Sequence, residues 1–186
     1  MKKVVLVPHK DGYCEEIFRL SSVPAVKDAL GLPEGTLDDT IRFSRLVREE
    51  EKAGTRIARV ILNEQNQLVG LTDLMFIDHA KKSCHIGTWI GQGYWGKGFN
   101  EASKVEILNI AFEELGLSNV FAGARKVNIR SQKAQEKLPF ISLHVEAEFP
   151  EEHQALEKKE KQPCVLHVFR KEDFEAYLAD LDIKEE

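Results

Sequence analysis

Between residues 91 and 98 the chain reads Gly91-Gln92-Gly93-Tyr94-Trp95-Gly96-Lys97-Gly98, four glycines in eight positions. A strand-like segment, Cys84 to Ile90, runs into this stretch, and a helix-like segment, Phe99 to Leu115, leaves it. Glycines lack Cβ and tolerate positive φ, so successive backbone N–H groups can turn toward one ligand. At the start of a helix those donors sit where the macrodipole is positive, which suits a phosphate or pyrophosphate. A plain glycine-rich turn is the simpler alternative.

The rest of the chain restricts the architecture around that turn. Lys3 to Val7 reads as a strand, followed by helical spacing over Tyr13–Leu20 and Val23–Leu30. Thr36 to Lys52 opens with Thr36-x-x-Asp39, places Phe43, Leu46 and Val47 on one face, and closes at Gly54. Thr55–Leu62 and Gln67–Ile77, separated by four polar residues, read as an antiparallel hairpin. After the glycines, Ala102, Val105, Leu108, Ala111, Phe112 and Leu115 form an apolar stripe that Gly116 ends. Val120–Ala124 reads as a strand and Ser131–Leu138 as a short helix. Ile141–Phe149 and Pro163–Arg170 read as two further strands, with the charged tract Glu151–Gln162 as a solvated excursion between them. Glu172–Leu181 reads as a terminal helix. This order predicts a mixed α/β (α+β) sheet, mostly antiparallel in its first part, flanked by helices.

At 186 residues the expectation is one domain spanning 1–186. A net charge of −5 argues against nucleic-acid or anionic-membrane partners, which select basic surfaces. Three cysteines without CxxC spacing predict neither a disulfide framework nor a metal site. The apolar run Val4–Val7 stops at Pro8, too short for a signal-peptide core, so a cytoplasmic protein is expected.

Gly91-x-Gly93-x-x-Gly96 also matches the dinucleotide fingerprint, and Arg125 at the end of the next strand could read a 2′-phosphate of NADP. Against this, Cys84, His85 and Thr88 interrupt the preceding strand, Tyr94 and Trp95 are large for that turn, and hairpins precede it instead of crossovers.

A second reading uses more residues. His85-Ile86-Gly87-Thr88-Trp89-Ile90, then Tyr94-Trp95-Gly96-Lys97-Gly98-Phe99 with Glu101-Ala102, resemble the strand and pyrophosphate loop of the GCN5-related N-acetyltransferases. They are most similar to the branch that acetylates ribosomal-protein N-termini. Asn128-x-x-Ser131 and Glu136-Lys137-Leu138-Pro139-Phe140 resemble further motifs of that branch, and the likeness spans nearly the whole chain. The chain departs from the pattern at Gly93, where Gln or Arg is common, at His85, where the branch has a glutamate, and at Pro139, where it has a glycine.

The resemblance implies the acyltransferase fold, acetyl-CoA as co-substrate, no metal, and a primary amine of a small molecule or protein N-terminus as acceptor. It implies cofactor contacts at Trp89, Ile90, Gly91, Trp95, Gly96, Lys97, Gly98, Phe99, Asn100 and Asn128. Gly91 and Gly93 would let the strand splay beside the pantetheine, while Gly96 and Gly98 hold the pyrophosphate. A backbone N–H near Ile90 would stabilise the oxyanion. Ser131 would protonate the leaving thiolate, or serve as a helix N-cap, or both. His85 is the expected general base, since histidine accepts protons near neutrality; Asp73, Glu146 and relay water are alternatives. Trp89, Tyr94 and Trp95 line an acceptor pocket or belong to the core. A non-catalytic acyl-CoA-binding module is the competing function, and a homodimer is the base-rate expectation for assembly.

Overall fold

β-branched and aliphatic runs punctuated by polar turns build one six-stranded sheet whose strands lie in chain order. The computed structural model describes residues 2–185, so Met1 and Glu186 of the expected domain lie outside the described residues. The strands are β1 (Val5–Pro8), β2 (Arg56–Leu62), β3 (Leu68–Asp78), β4 (Ser83–Ile90), β5 (Asn119–Arg125) and β6 (Cys164–Arg170). Every neighbouring pair is antiparallel except β4 and β5, which run parallel. A parallel pair needs a crossover, and the helix that leaves the glycine turn supplies it.

Three helices precede the hairpin: α1 (Cys14–Ser21), α2 (Pro24–Leu30) and α3 (Leu37–Lys52). Thr36 and Asp39 form the expected capping box at the start of α3. Val47 is buried and Phe43 packs on the core, but Leu46 points outward with 54% of its surface exposed. Ile17 and Leu20 of α1 pack on Val60, Leu62 and Leu71 of one sheet face, with Trp89 beside them.

The opposite face belongs to α4 (Phe99–Asn109), whose Val105 and Leu108 meet Leu74, Cys84, Ile86, Val120 and Ala122. The predicted run to Leu115 continues as a π-helical turn over Ile110–Glu114, where Leu115 N–H donates to the Ile110 carbonyl. Gly116 then takes φ +65° and ends it. Next come α5 (Ile129–Glu136), α6 (Pro150–Glu160) and α7 (Lys171–Glu185).

Two expectations fail after α5. Ile141–Phe149 is not a strand: it makes one bridge to β6, Ser142 with Val168, and one further backbone bond, Val145 N–H to the Leu166 carbonyl. His144 adopts φ +56°, which breaks the extended run, and its N–H donates to Nδ1 of His167 instead of a ladder carbonyl. Glu146 Oε1 then accepts the Leu166 N–H, so a side chain replaces backbone along β6. The tract 151–162 is no solvated excursion either, because most of it is α6. Pro150 at the first turn, Glu151 and Glu152 at the positive end and Lys158 and Lys159 at the negative end suit a helix. Its one buried apolar residue, Leu156, packs with Phe121, Leu166 and Phe149.

Among the described residues, no helix is long and apolar enough to cross a membrane. No cluster of three or more His, Cys, Asp or Glu side chains suited to a metal ion occurs among them either.

Candidate active site

The parallel pair β4–β5 separates part-way along its length. Partners run from Ser83 with Asn119 to Ile86 with Ala122 and then stop, although both strands continue. A cleft of about 970 Å³ opens at this point, floored by the diverging strands and walled by α2, α4, α5 and α6.

The register fixes which backbone groups face the gap. Gly91 N–H donates to the Val69 carbonyl at 2.8 Å. Alternation along an antiparallel pair then turns the odd-numbered groups of β4 toward β3 and the even-numbered ones away. Thr88 and Ile90 therefore direct their N–H and C=O groups into the gap, while those of Trp89 and Gly91 are spent on β3. The Ile90 carbonyl accepts a 2.6 Å bond from the Trp95 indole Nε1. Thr88 N–H, Thr88 C=O and Ile90 N–H remain directed into the gap. Thr88 was not among the expected cofactor contacts, because only the strand register shows which backbone groups turn toward the gap.

The glycine turn lies at the end of this gap. Gly96 and Gly98 take φ +71° and +83°, conformations that side chains disfavour. Among the described residues, no protein acceptor takes the N–H of Gly96, Lys97, Gly98, Phe99, Asn100 or Glu101. Three of these donors lie in the glycine turn and three in the first turn of α4, where the helix dipole favours an anion. Lys97 turns its ammonium onto the Gly93 carbonyl at 2.7 Å, so its charge is held within the loop. Gly91 and Gly93 do not create the splay, which begins after Ile86. Gly91 continues the β3 pairing and Gly93 sits in a 3-10 turn over Gln92–Tyr94.

Across the cleft, Asn128 is the N-cap of α5: its Oδ1 accepts the Ser131 N–H at 3.0 Å, and its Nδ2 donates to the Ala29 carbonyl at 3.0 Å. Ser131 is thus not the cap but lies three residues inside the helix, lining the cleft, with its hydroxyl 3.5 Å from Gln135 Nε2. Pro139 leaves the helix to end through Lys137 in ordinary right-handed geometry. Arg125 donates to the carbonyls of Ala29, at 2.8 Å, and Asp28, at 3.3 Å. Its Nη2 thereby closes the end of α2 and ties it to β5. Arg130 stacks its guanidinium 3.0 Å above the Trp95 ring, joining α5 to the glycine turn.

His85 lies on the face of β4 opposite α4, the same face as Trp89. Its Nε2 is 2.9 Å from Glu152 Oε2 of α6, and Phe76 and Phe121 flank the ring at 6.0 and 5.4 Å. The two alternative bases are occupied elsewhere. Asp73 pairs with Arg56, which also holds Glu50 of α3, and Glu146 caps the Leu166 amide. Lys104 was not singled out by the sequence. It is buried in the cleft wall, donates to Asn100 Oδ1 at 3.2 Å, and burial lowers its pKa to about 8.

A parallel pair that splays beside a glycine turn at a helix start defines a mixed α/β protein with a cleft open along one strand. The chain belongs to the GNAT acetyltransferase family: the family model described as acetyltransferase (GNAT) domain matches residues 3–141. It is 32% identical over 74 residues to "Putative ribosomal N-acetyltransferase YdaF" of Bacillus subtilis (strain 168), a stretch covering 40% of this chain and 40% of that protein. The match therefore spans about two fifths of this curated relative's length.

Among solved structures, spermidine N-acetyltransferase from Vibrio cholerae in complex with CoA and spermine aligns with a TM-score of 0.70. The identity is 15%, and the alignment covers 92% of this chain and 97% of that one. Microcin C7 self immunity acetyltransferase MccE, in complex with acetyl-CoA and AMP, aligns with a TM-score of 0.67 at 16% identity, covering 76% and 79%. At these identities the structures share the fold.

Proposed function

We propose that residues 1–186 form one cytoplasmic domain that transfers an acetyl group from acetyl-CoA to a primary amine, of a small molecule or a protein N-terminus. The observation that carries this reading is the β4–β5 gap, which opens at Ile86–Ala122 and leads into the free N–H groups of Gly96–Glu101. A pantetheine arm laid in the gap completes the interrupted ladder through Thr88, and its pyrophosphate meets the turn and the start of α4. The two solved relatives that hold acetyl-CoA or CoA support this assignment.

In the reaction, the amine nitrogen bonds to the thioester carbonyl carbon and the C–S bond breaks. Ile90 N–H faces the gap where the oxyanion develops. His85 accepts the amine proton, and the Ser131 hydroxyl gives a proton to the departing thiolate. Solvent returns the proton from His85 to Ser131, leaving an N-acetyl amine and free CoA.

The test is thiol release from acetyl-CoA with a panel of polyamines, amino acids and N-terminal peptides. Turnover with one amine class and its loss in His85→Ala supports the proposal. CoA binding without turnover on any amine favours the acyl-CoA-binding module instead. A homodimer is our expectation for assembly, read by light scattering.

A further inference from the structure

We infer that Glu152 is a positioning residue that sets the tautomer and orientation of the His85 ring. This rests on the reading of His85 as proton acceptor. Glu152 reaches His85 from the helix that sequence patterning alone reads as solvated, 67 residues away in the chain.

The geometry is specific. His85 Nε2 and Glu152 Oε2 are 2.9 Å apart, with side chains only 16% and 24% exposed. An ionised carboxylate can only accept, so Nε2 carries the hydrogen and Nδ1 keeps a lone pair. Glu152 Oε1 lies 3.9 Å from the exposed Lys81 Nζ, beyond hydrogen-bond reach, so the bond to His85 is the close contact of this carboxylate. Phe76 and Phe121 bracket the imidazole, and Lys159 of α6 lies 5.5 Å above the Phe76 ring. These contacts leave the ring two residues from Gly87, where β4 leaves β5. Leu156, four residues after Glu152 on the same face of α6, anchors the helix against Phe121 and β6. The carboxylate is thus fixed by packing, as orientation of a base requires.

The test combines spectroscopy with kinetics on the full chain. In ¹⁵N spectra of the histidine rings at neutral pH, wild-type His85 should show the Nε2–H tautomer, and Glu152→Ala should show a mixture. With the accepting amine, Glu152→Ala should lower kcat about tenfold to a hundredfold while KM for acetyl-CoA stays within about twofold. It should cause no further loss in a His85→Ala background. Glu152→Gln, of the same volume, keeps an acceptor oxygen and should recover part of kcat; it also serves if the alanine variant does not fold. An unchanged tautomer, an unchanged kcat, or equal losses with and without His85 would overturn the inference. Absence of turnover in the wild type would sink the functional reading, while the tautomer measurement still decides the His85–Glu152 pairing.

Discussion

Leu156 of α6 fills the space that Gly123 of β5 leaves by having no side chain. A Cβ built on Gly123 would stand 2.5 Å from Leu156 Cδ2 and 2.9 Å from Cδ1. This close approach seats α6 on the strand that forms one side of the gap. Gly123→Ala should therefore cost about 1–3 kcal/mol through overpacking. Chemical denaturation would measure the loss, and adding Leu156→Ala should recover part of it. A fully additive double variant would contradict the contact.

The glycines of the turn are not equivalent. Gly98→Ala forces a side chain into φ +83° at the N-cap of α4 and should weaken acetyl-CoA binding by about tenfold, the effect of roughly 1–2 kcal/mol of left-handed strain. Gly93→Ala meets nothing within 4 Å and carries no positive φ, so its affinity should match wild type. Isothermal titration of the two variants with acetyl-CoA separates them.

Lys104 makes stability depend on pH. Its folded-state pKa of about 8 lies below the ordinary lysine value of 10.5, because burial disfavours the ammonium. Between those values the unfolded chain binds more protons than the folded one, so stability rises as pH goes from about 8 to 10.5. Below 8 both states are charged and the full penalty applies, roughly 3 kcal/mol for a shift of this size. Lys104→Met should raise the melting temperature at pH 7 and flatten the alkaline rise. Thermal melts from pH 7 to 10.5 would show both.

Asn128 performs two tasks that single substitutions can divide. Asn128→Asp keeps the acceptor for Ser131 N–H but loses the donor to Ala29, whereas Asn128→Ala loses both. The alanine variant should lose about 1–2 kcal/mol, and the aspartate variant less. Urea midpoints would rank them; equal losses would mean that the tie to α2, not the cap, carries the effect.

Much of the scaffold was legible because its signals are local. The Thr36–Asp39 box, the hairpin around residues 63–66 and the alternating strands each act within a few residues, and the structure places each where its pattern does. The glycine run was legible as a stretch that tolerates positive φ, and Gly96 and Gly98 adopt it while Gly91 and Gly93 do not. The segment 141–149 was not, because its aliphatic composition suits a strand while His144 bonds to a residue 23 positions away. Glu152 hid in a charge run whose two apolar residues, Ala155 and Leu156, are adjacent and give no periodicity, although Pro150 and the acid-to-base polarity mark a helix. Lys104 hid because its burial depends on what α5 and the strands place around it.

The sequence by itself located the six strands of the sheet, the glycine turn and the helix that follows, since backbone preference and hydrophobic spacing are short-range, but it added a strand at 141–149 that does not form. Only the tertiary structure decided that the gap begins at Ile86 and not at Gly91, that Thr88 faces into it, and that Glu152 meets His85. Each of these depends on strand register or on packing between segments far apart in the chain, and no local pattern records either.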